Sequence, residues 1–179
     1  SFPNATIIGY PRIGPDRELK RATEKYWRNE LSDEDLLAAT TDLRDATYAR
    51  LAELGLDKGG YAIPESFSLY DQVLDTAVAL GAIPQRYRGL DGLERYFALA
   101  RGTDTLPALE MTKWFDTNYH YLVPELSPSS QFEFEDVSKV AEFERARDNG
   151  YLVRPTLVGP VTFLALSKAD EDAPGDWHP

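Results

Sequence analysis

Short β-branched runs alternate along this chain with longer segments of helical apolar spacing, and that alternation predicts its elements. The first run, Ala5 to Tyr10 (ATIIGY), reads as a strand, with Pro and Gly breaking it between Pro11 and Pro15. Asp16 then offers a side chain to cap a helix opening with Arg17-Glu18-Leu19-Lys20, whose apolar face is Leu19, Ala22, Tyr26 and Trp27. Ser32 and Asp35 form a capping-box-like pair ahead of Leu36, Leu37, Leu43, Thr47, Leu51 and Leu54, and Gly55 supplies a stop. Gly60 to Pro64 (GYAIP) reads as a second strand, and a helix over Leu69 to Leu80 ends at Gly81. Further helices are predicted over Gly92 to Ala100, Ser138 to Asp148 and Val161 to Lys168. Ala108 to Lys113 (ALEMTK) has no decisive period, but its position suggests a third strand. Leu152 to Val158 (LVRPTLV) is a fourth, with Pro155 in its interior. The acidic, breaker-rich tail from Ala169 to Pro179 reads as a loop.

Strands separated by helices predict an α/β fold with mostly parallel strands. A complete (β/α)8 barrel takes about 250 residues, whereas this chain has 179. It supplies about four strands, half of a barrel's eight. On pattern alone an open sheet of about four or five strands fits as well.

Composition narrows the classes. Hydrophobic residues make up 42% and charged residues 27%, the balance of an ordinary soluble globular protein. No apolar run approaches a membrane span, and no basic segment precedes a long apolar stretch as in a secretory signal. The absence of cysteine excludes a disulfide framework and fits a reducing compartment. A formal net charge of −11 argues against nucleic acid or an anionic membrane as the main partner. Against that background Arg12, Arg17, Lys20, Arg21 and Lys25 cluster near a strand end, ahead of an acidic stretch from Glu30 to Asp45.

In α/β folds ligands gather where the loops after the strands converge. Three segments take that position. The first is Tyr10 to Gly14 leading into Arg17 to Lys20, where a helix N-terminus and two cations three residues apart suit a carboxylate or phosphate. An ordinary capped helix with solvated charges accounts for the same residues. The second is Glu110 to Tyr121, where aromatic rings can wall a flat heterocycle while Lys113 and Asn118 orient it, with core packing as the alternative for Trp114 and Phe115. The third is Leu157 to Thr162, where Gly159-Pro160 suits a backbone role. His120 and His178 are the only histidines, so no zinc cluster is visible, and there is no nucleophile elbow, P-loop or dinucleotide fingerprint. Glu65 and Glu110 at strand ends permit a rival reading as the acid/base pair of a barrel-derived hydrolase. A stand-alone module binding a polyanionic small molecule also stays open.

Several of these segments carry a family resemblance. Tyr10 to Gly14 with Arg17 to Lys20 (YPRIG, RELK) resembles the opening of cobalamin-independent methionine synthases. Met111 to Tyr121 with Val123-Pro124-Glu125 (MTKWFDTNYHY, VPE) resembles their N-terminal signature. Gly159 to Leu164 (GPVTFL) matches a third stretch, and Tyr70-Asp71 with Leu74 a shorter fourth, so that the resemblance runs from Thr6 to about Lys168. It implies a tandem of two (β/α)8 barrels, of which residues 1–179 would be the N-terminal half of the first, folate-side barrel, stopping at Pro179. The implied activity is cytoplasmic transfer of a methyl group from 5-methyltetrahydropteroyltri-L-glutamate to L-homocysteine, forming L-methionine without cobalamin. The resemblance places zinc, on His, Cys, Glu and Cys ligands, and homocysteine in a C-terminal barrel outside this chain. Carried over residue by residue, folate polyglutamate binding falls to Arg17, Glu18, Leu19, Lys20 and Lys113, with Asn118 beside the pterin. The segment alone is then expected to bind no zinc, to be inactive, and either to self-associate through uncovered sheet edges or to be only marginally stable.

Overall fold

The chain's longest helix shows how local chemistry sets an element. Ser32 Oγ accepts the Asp35 N–H at 3.1 Å while its hydroxyl donates to the Asp35 carboxylate at 2.7 Å, closing the N-terminus that the sequence marked. The computed structural model describes residues 3–134, 138–171 and 173–179. Along the chain the elements are α1 (Glu18–Trp27), α2 (Asp33–Glu53), β1 (Pro64–Glu65), α3 (Gln72–Ala79), a 3-10 turn (Gln85–Tyr87), α4 (Gly92–Arg101), β2 (Met111–Lys113), β3 (His120–Leu122), β4 (Glu125–Leu126), α5 (Ser138–Asp148), β5 (Arg154–Pro155), α6 (Pro160–Ala165) and β6 (Lys168–Ala169). They fall into two units, one holding residues up to Leu69 with Ser138–Thr156, the other Tyr70–Val137 with Leu157–Pro179. Asp172, within the tail read as a loop, and Ser1 and Phe2 lie outside the described residues.

In the first unit β1 and β5 pair in parallel around a core of Tyr48, Leu51, Ile63, Ala146 and Val153. Arg154 N–H bonds Ile63 C=O at 2.8 Å and Thr156 N–H bonds Glu65 C=O at 2.9 Å. Pro155 falls between these two donors, which is why the ladder tolerates a residue without an N–H. Residues 5–10 are not a strand. Side chains tie that segment down instead: Thr6 Oγ1 donates to Ala62 C=O at 2.7 Å, Ser66 Oγ accepts the Tyr10 N–H at 3.3 Å, and Arg154 donates to Ile7 C=O at 2.7 Å. Nor does Asp16 cap α1. The cap position is Arg17, in the left-handed region at φ 63°, and the Glu18 carboxylate accepts the Asp16 N–H at 3.0 Å.

In the second unit β2 and β3 form an antiparallel hairpin, and β4 pairs with β6 in parallel. The third sequence-read strand is therefore one arm of a hairpin and starts at Met111 rather than Ala108. The helix read from Val161 to Lys168 stops at Ala165, because Lys168 N–H is drawn to Pro124 C=O at 2.9 Å and opens β6. Val73, Ala77, Ala82, Tyr121, Val123, Leu126, Phe163 and Leu166 make this unit's core. Helices mixed with small parallel sheets give an α/β fold, with one antiparallel pair among three. Among the described residues, no helix is long and apolar enough to cross a membrane.

The first unit buries charge as well as hydrocarbon. Glu65, 2% exposed, accepts from the Tyr48 hydroxyl and from Phe67 N–H at 3.2 Å. Tyr48 has a single proton to give, and Glu142 is held instead by Arg145, through contacts of 2.7 and 3.0 Å. Burial, followed by the Glu65 charge, raises the Tyr48 phenol far above its ordinary pKa, so it remains a donor. Tyr48→Phe should leave Glu65 short of a donor and cost about 1–3 kcal/mol in urea unfolding. A loss below about 0.5 kcal/mol would show that the carboxylate is satisfied without it.

Candidate functional site

The loop before α1 is wound tightly by its own backbone. Arg17 N–H bonds Gly14 C=O and Leu19 N–H bonds Ile13 C=O, both at 3.1 Å. Gly14 has φ 84°, and a Cβ there would strike the Glu18 carboxylate and Leu43, so glycine is required on two counts. Arg12 is committed to structure, donating to Ser68 and Leu69 carbonyls at 3.1 and 3.0 Å. Of the four RELK residues, Arg17 and Lys20 are exposed, while Leu19, 1% exposed, packs in the core. A ligand could meet Leu19 only through its main chain. Lys20 pairs with Glu24 one turn on and holds that carboxyl below its usual range.

The second group sits on the β2–β3 hairpin. Its register sets Met111 opposite Leu122, Thr112 opposite Tyr121 and Lys113 opposite His120. Trp114 N–H bonds Tyr119 C=O at 2.7 Å, and Thr117 braces the turn by donating to Trp114 C=O through both its N–H and its hydroxyl. Phe115 takes a positive φ of 50°, a strained conformation for an aromatic residue. Trp114 meets Phe115, Tyr119 and Tyr121 edge-on at 5.7, 6.2 and 5.9 Å between ring centroids. Lys113 and Asn118 are exposed, and Asn118 C=O lies 3.0 Å from His120 Nδ1.

One buried carboxylate, which sequence reasoning gave no role, holds this hairpin. Asp71, 3% exposed, caps α3 by accepting Leu74 N–H at 2.9 Å on Oδ2. The same oxygen accepts Leu122 N–H at 3.2 Å, and Oδ1 accepts the Tyr119 hydroxyl at 3.0 Å. Backbone bonds at Trp114–Tyr119 and Glu110–Val123 mean that the alternating antiparallel pattern turns Leu122 N–H away from β2 and toward the acid. Asp71 ahead of a helical run is a cap signal in the sequence, but its reach to residues 119 and 122 has no local signature.

Arg17, Glu18, Leu19 and Lys20 thus lie together in the first unit, and Lys113 and Asn118 together in the second. Tyr10, Arg12, Arg44, Tyr48, Glu65 and Phe67 line a shallow open recess in the first unit. Glu65 there is fully engaged, and Glu110 ion-pairs with Lys168 at 2.8 Å, so neither carboxylate is left poised for acid/base work. Among the described residues, no group of three or more His, Asp or Glu could hold a metal ion.

The sequence pattern of the family described as cobalamin-independent synthase, N-terminal domain, matches residues 4–176. The chain belongs to that family. It is 51% identical to a 5-methyltetrahydropteroyltriglutamate–homocysteine methyltransferase of Streptomyces coelicolor, over 98% of this chain and 23% of the relative. Methyltransferases of the same name from Mycobacterium bovis and Rhodococcus jostii are 55% and 54% identical, over 94% and 95% of this chain and 22% of each relative. The chain therefore spans less than a quarter of the length of these synthases. Both groups of sequence-read residues fall inside the matched region of the synthase domain.

Burial raises the Asp71 carboxyl above the ordinary aspartate range, against the pull of the Leu74, Leu122 and Tyr119 donors. A folded-state pKa above the unfolded one makes the group's contribution greatest below the unfolded value, and it is lost as pH rises through the folded value. Relative to Asp71→Asn, the parent chain should lose unfolding free energy as pH is raised from about 3.9 upward. Urea titrations over that range would show it. A constant difference between the two proteins would mean that Asp71 does not titrate abnormally.

Proposed function

We propose that this segment is the folate-side portion of a methyltransferase acting between 5-methyltetrahydropteroyltriglutamate and homocysteine, and that its own task is to grip the polyglutamate tail. The observation that carries the reading is the pairing of family membership with exposed cations on rigid supports. Arg17 takes the N-cap position of α1, Lys20 lies in its first turn and Lys113 ends β2, on a protein whose net charge is −11. Each tail carboxylate is an anion, and a helix N-terminus with flanking cations stabilises such a group more than water alone does. Leu19 holds the loop through its buried side chain and its N–H bond to Ile13 C=O at 3.1 Å, and Glu18 shapes it by accepting the Asp16 N–H at 3.0 Å. Asn118, in the hairpin turn beside Trp114, suits the pterin end, where rings offer an apolar wall. The segment is read as part of a (β/α)8 barrel working in the cytoplasm.

Zinc and homocysteine belong, on this reading, to portions of the synthases that this chain does not cover. The chain has no cysteine to act as a thiolate ligand, and no described cluster suits the metal. No methyl-transfer step is assigned to its residues. They bind and orient the donor's tail.

The test uses a chimera in which this chain replaces the matching segment of the Streptomyces coelicolor methyltransferase. Lys20→Ala and Lys113→Ala should each raise KM for the triglutamate substrate by about tenfold. The monoglutamate form, with fewer carboxylates, should lose less, and added salt should narrow the gap. Equal losses for both forms without salt dependence would place these lysines elsewhere in the mechanism.

A further inference from the structure

The hairpin that carries Lys113 is fixed by very little. Three residues pair on each arm, and the turn between them holds a non-glycine residue at positive φ. A free hairpin of this size is marginal in water, yet a charge recognising a carboxylate must be held in place before the ligand arrives if binding is not to cost ordering entropy. Asp71 supplies what the ladder lacks. Its two oxygens reach Tyr119 Oη, one position before the Lys113 register partner His120, and Leu122 N, two positions after it, at 3.0 and 3.2 Å. Oδ2 also accepts Leu74 N–H at 2.9 Å, which anchors the carboxylate to α3, whose Val73, Leu74 and Ala77 are buried. One side chain thus ties the strand facing Lys113 to a packed helix.

We infer, on the tail-binding role proposed above, that Asp71 and Tyr119 are positioning residues for the folate site: they hold the hairpin so that Lys113 meets the tail without rearrangement. Neither touches the ligand. The latch works by hydrogen-bond geometry rather than by charge. Asparagine can reproduce it, since its carbonyl oxygen can accept from Leu74 and Leu122 while its amide donates to Tyr119 Oη.

The test again uses the full-length chimera, with steady-state kinetics in both substrates. Tyr119→Phe, which removes one hydroxyl, should raise KM for the triglutamate folate by about fivefold, and Asp71→Ala by more. In both, kcat and KM for homocysteine should stay near the parent's values. Asp71→Asn should restore the triglutamate KM to within about twofold of the parent's. Lys113→Ala is measured alongside. If Lys113→Ala raises the triglutamate KM while Tyr119→Phe leaves it unchanged, or only lowers kcat or the folded fraction, the latch is structural and this inference is overturned. If Lys113→Ala itself has no effect on that KM, the tail-binding reading fails, and the inference falls with it.

Discussion

A carboxylate taken out of water must find donors or disrupt the fold around it. Asp71 meets that demand with two backbone amides and a phenol, one from α3 and two from the hairpin. Because those donors belong to α3 and to the hairpin, satisfying the acid also fixes where helix and hairpin stand. The requirement is cooperative. Moving the hairpin would leave a buried carboxyl without its partners, and losing those hydrogen bonds would free the hairpin. The segment from Met111 to Tyr121 thus depends on a residue forty positions upstream of it.

The first unit uses the same device. Glu65 ends β1 and is held by Tyr48 of α2 and by Phe67 N–H, while Arg145 of α5 clamps Glu142 against the same phenol. Buried acids that bridge elements add little net stability over an apolar core, but they penalise misplacement strongly. That asymmetry suits strands only two or three residues long, whose ladders alone specify register weakly. Polar positions thus do here what long strands do in larger sheets.

This division explains what the sequence showed and what it hid. The helices were legible because their signals are local: Ser32 caps, while Gly55 and Gly81 stop with positive φ. Strands were less so. Ala5 to Tyr10 has the composition of a strand, but its polar groups are taken by Ala62, Ser66 and Arg154, partners 56 to 148 positions distant in the chain. Met111 to Lys113 belongs to a hairpin with His120–Leu122, and most of the aromatic residues that the sequence suggested as a ligand wall lie in the turn between the two strands. Among the site residues, exposure of Lys20 and Lys113 agrees with a binding role, whereas Leu19 is core, a distinction that spacing alone does not draw. Asp71 and Tyr119 escaped because a contact between residues 48 apart leaves no periodic trace.

Whether the hairpin is held before any ligand binds is open to direct measurement by amide hydrogen exchange on this chain, read residue by residue with NMR. An Asp71 anchor requires the Leu74 and Leu122 amides to be protected in the free protein, and to lose protection together in Asp71→Ala while α2 keeps its own. Fast exchange at Leu122 in the unsubstituted chain, or protection there that survives Asp71→Ala, would contradict a hairpin fixed by that carboxylate.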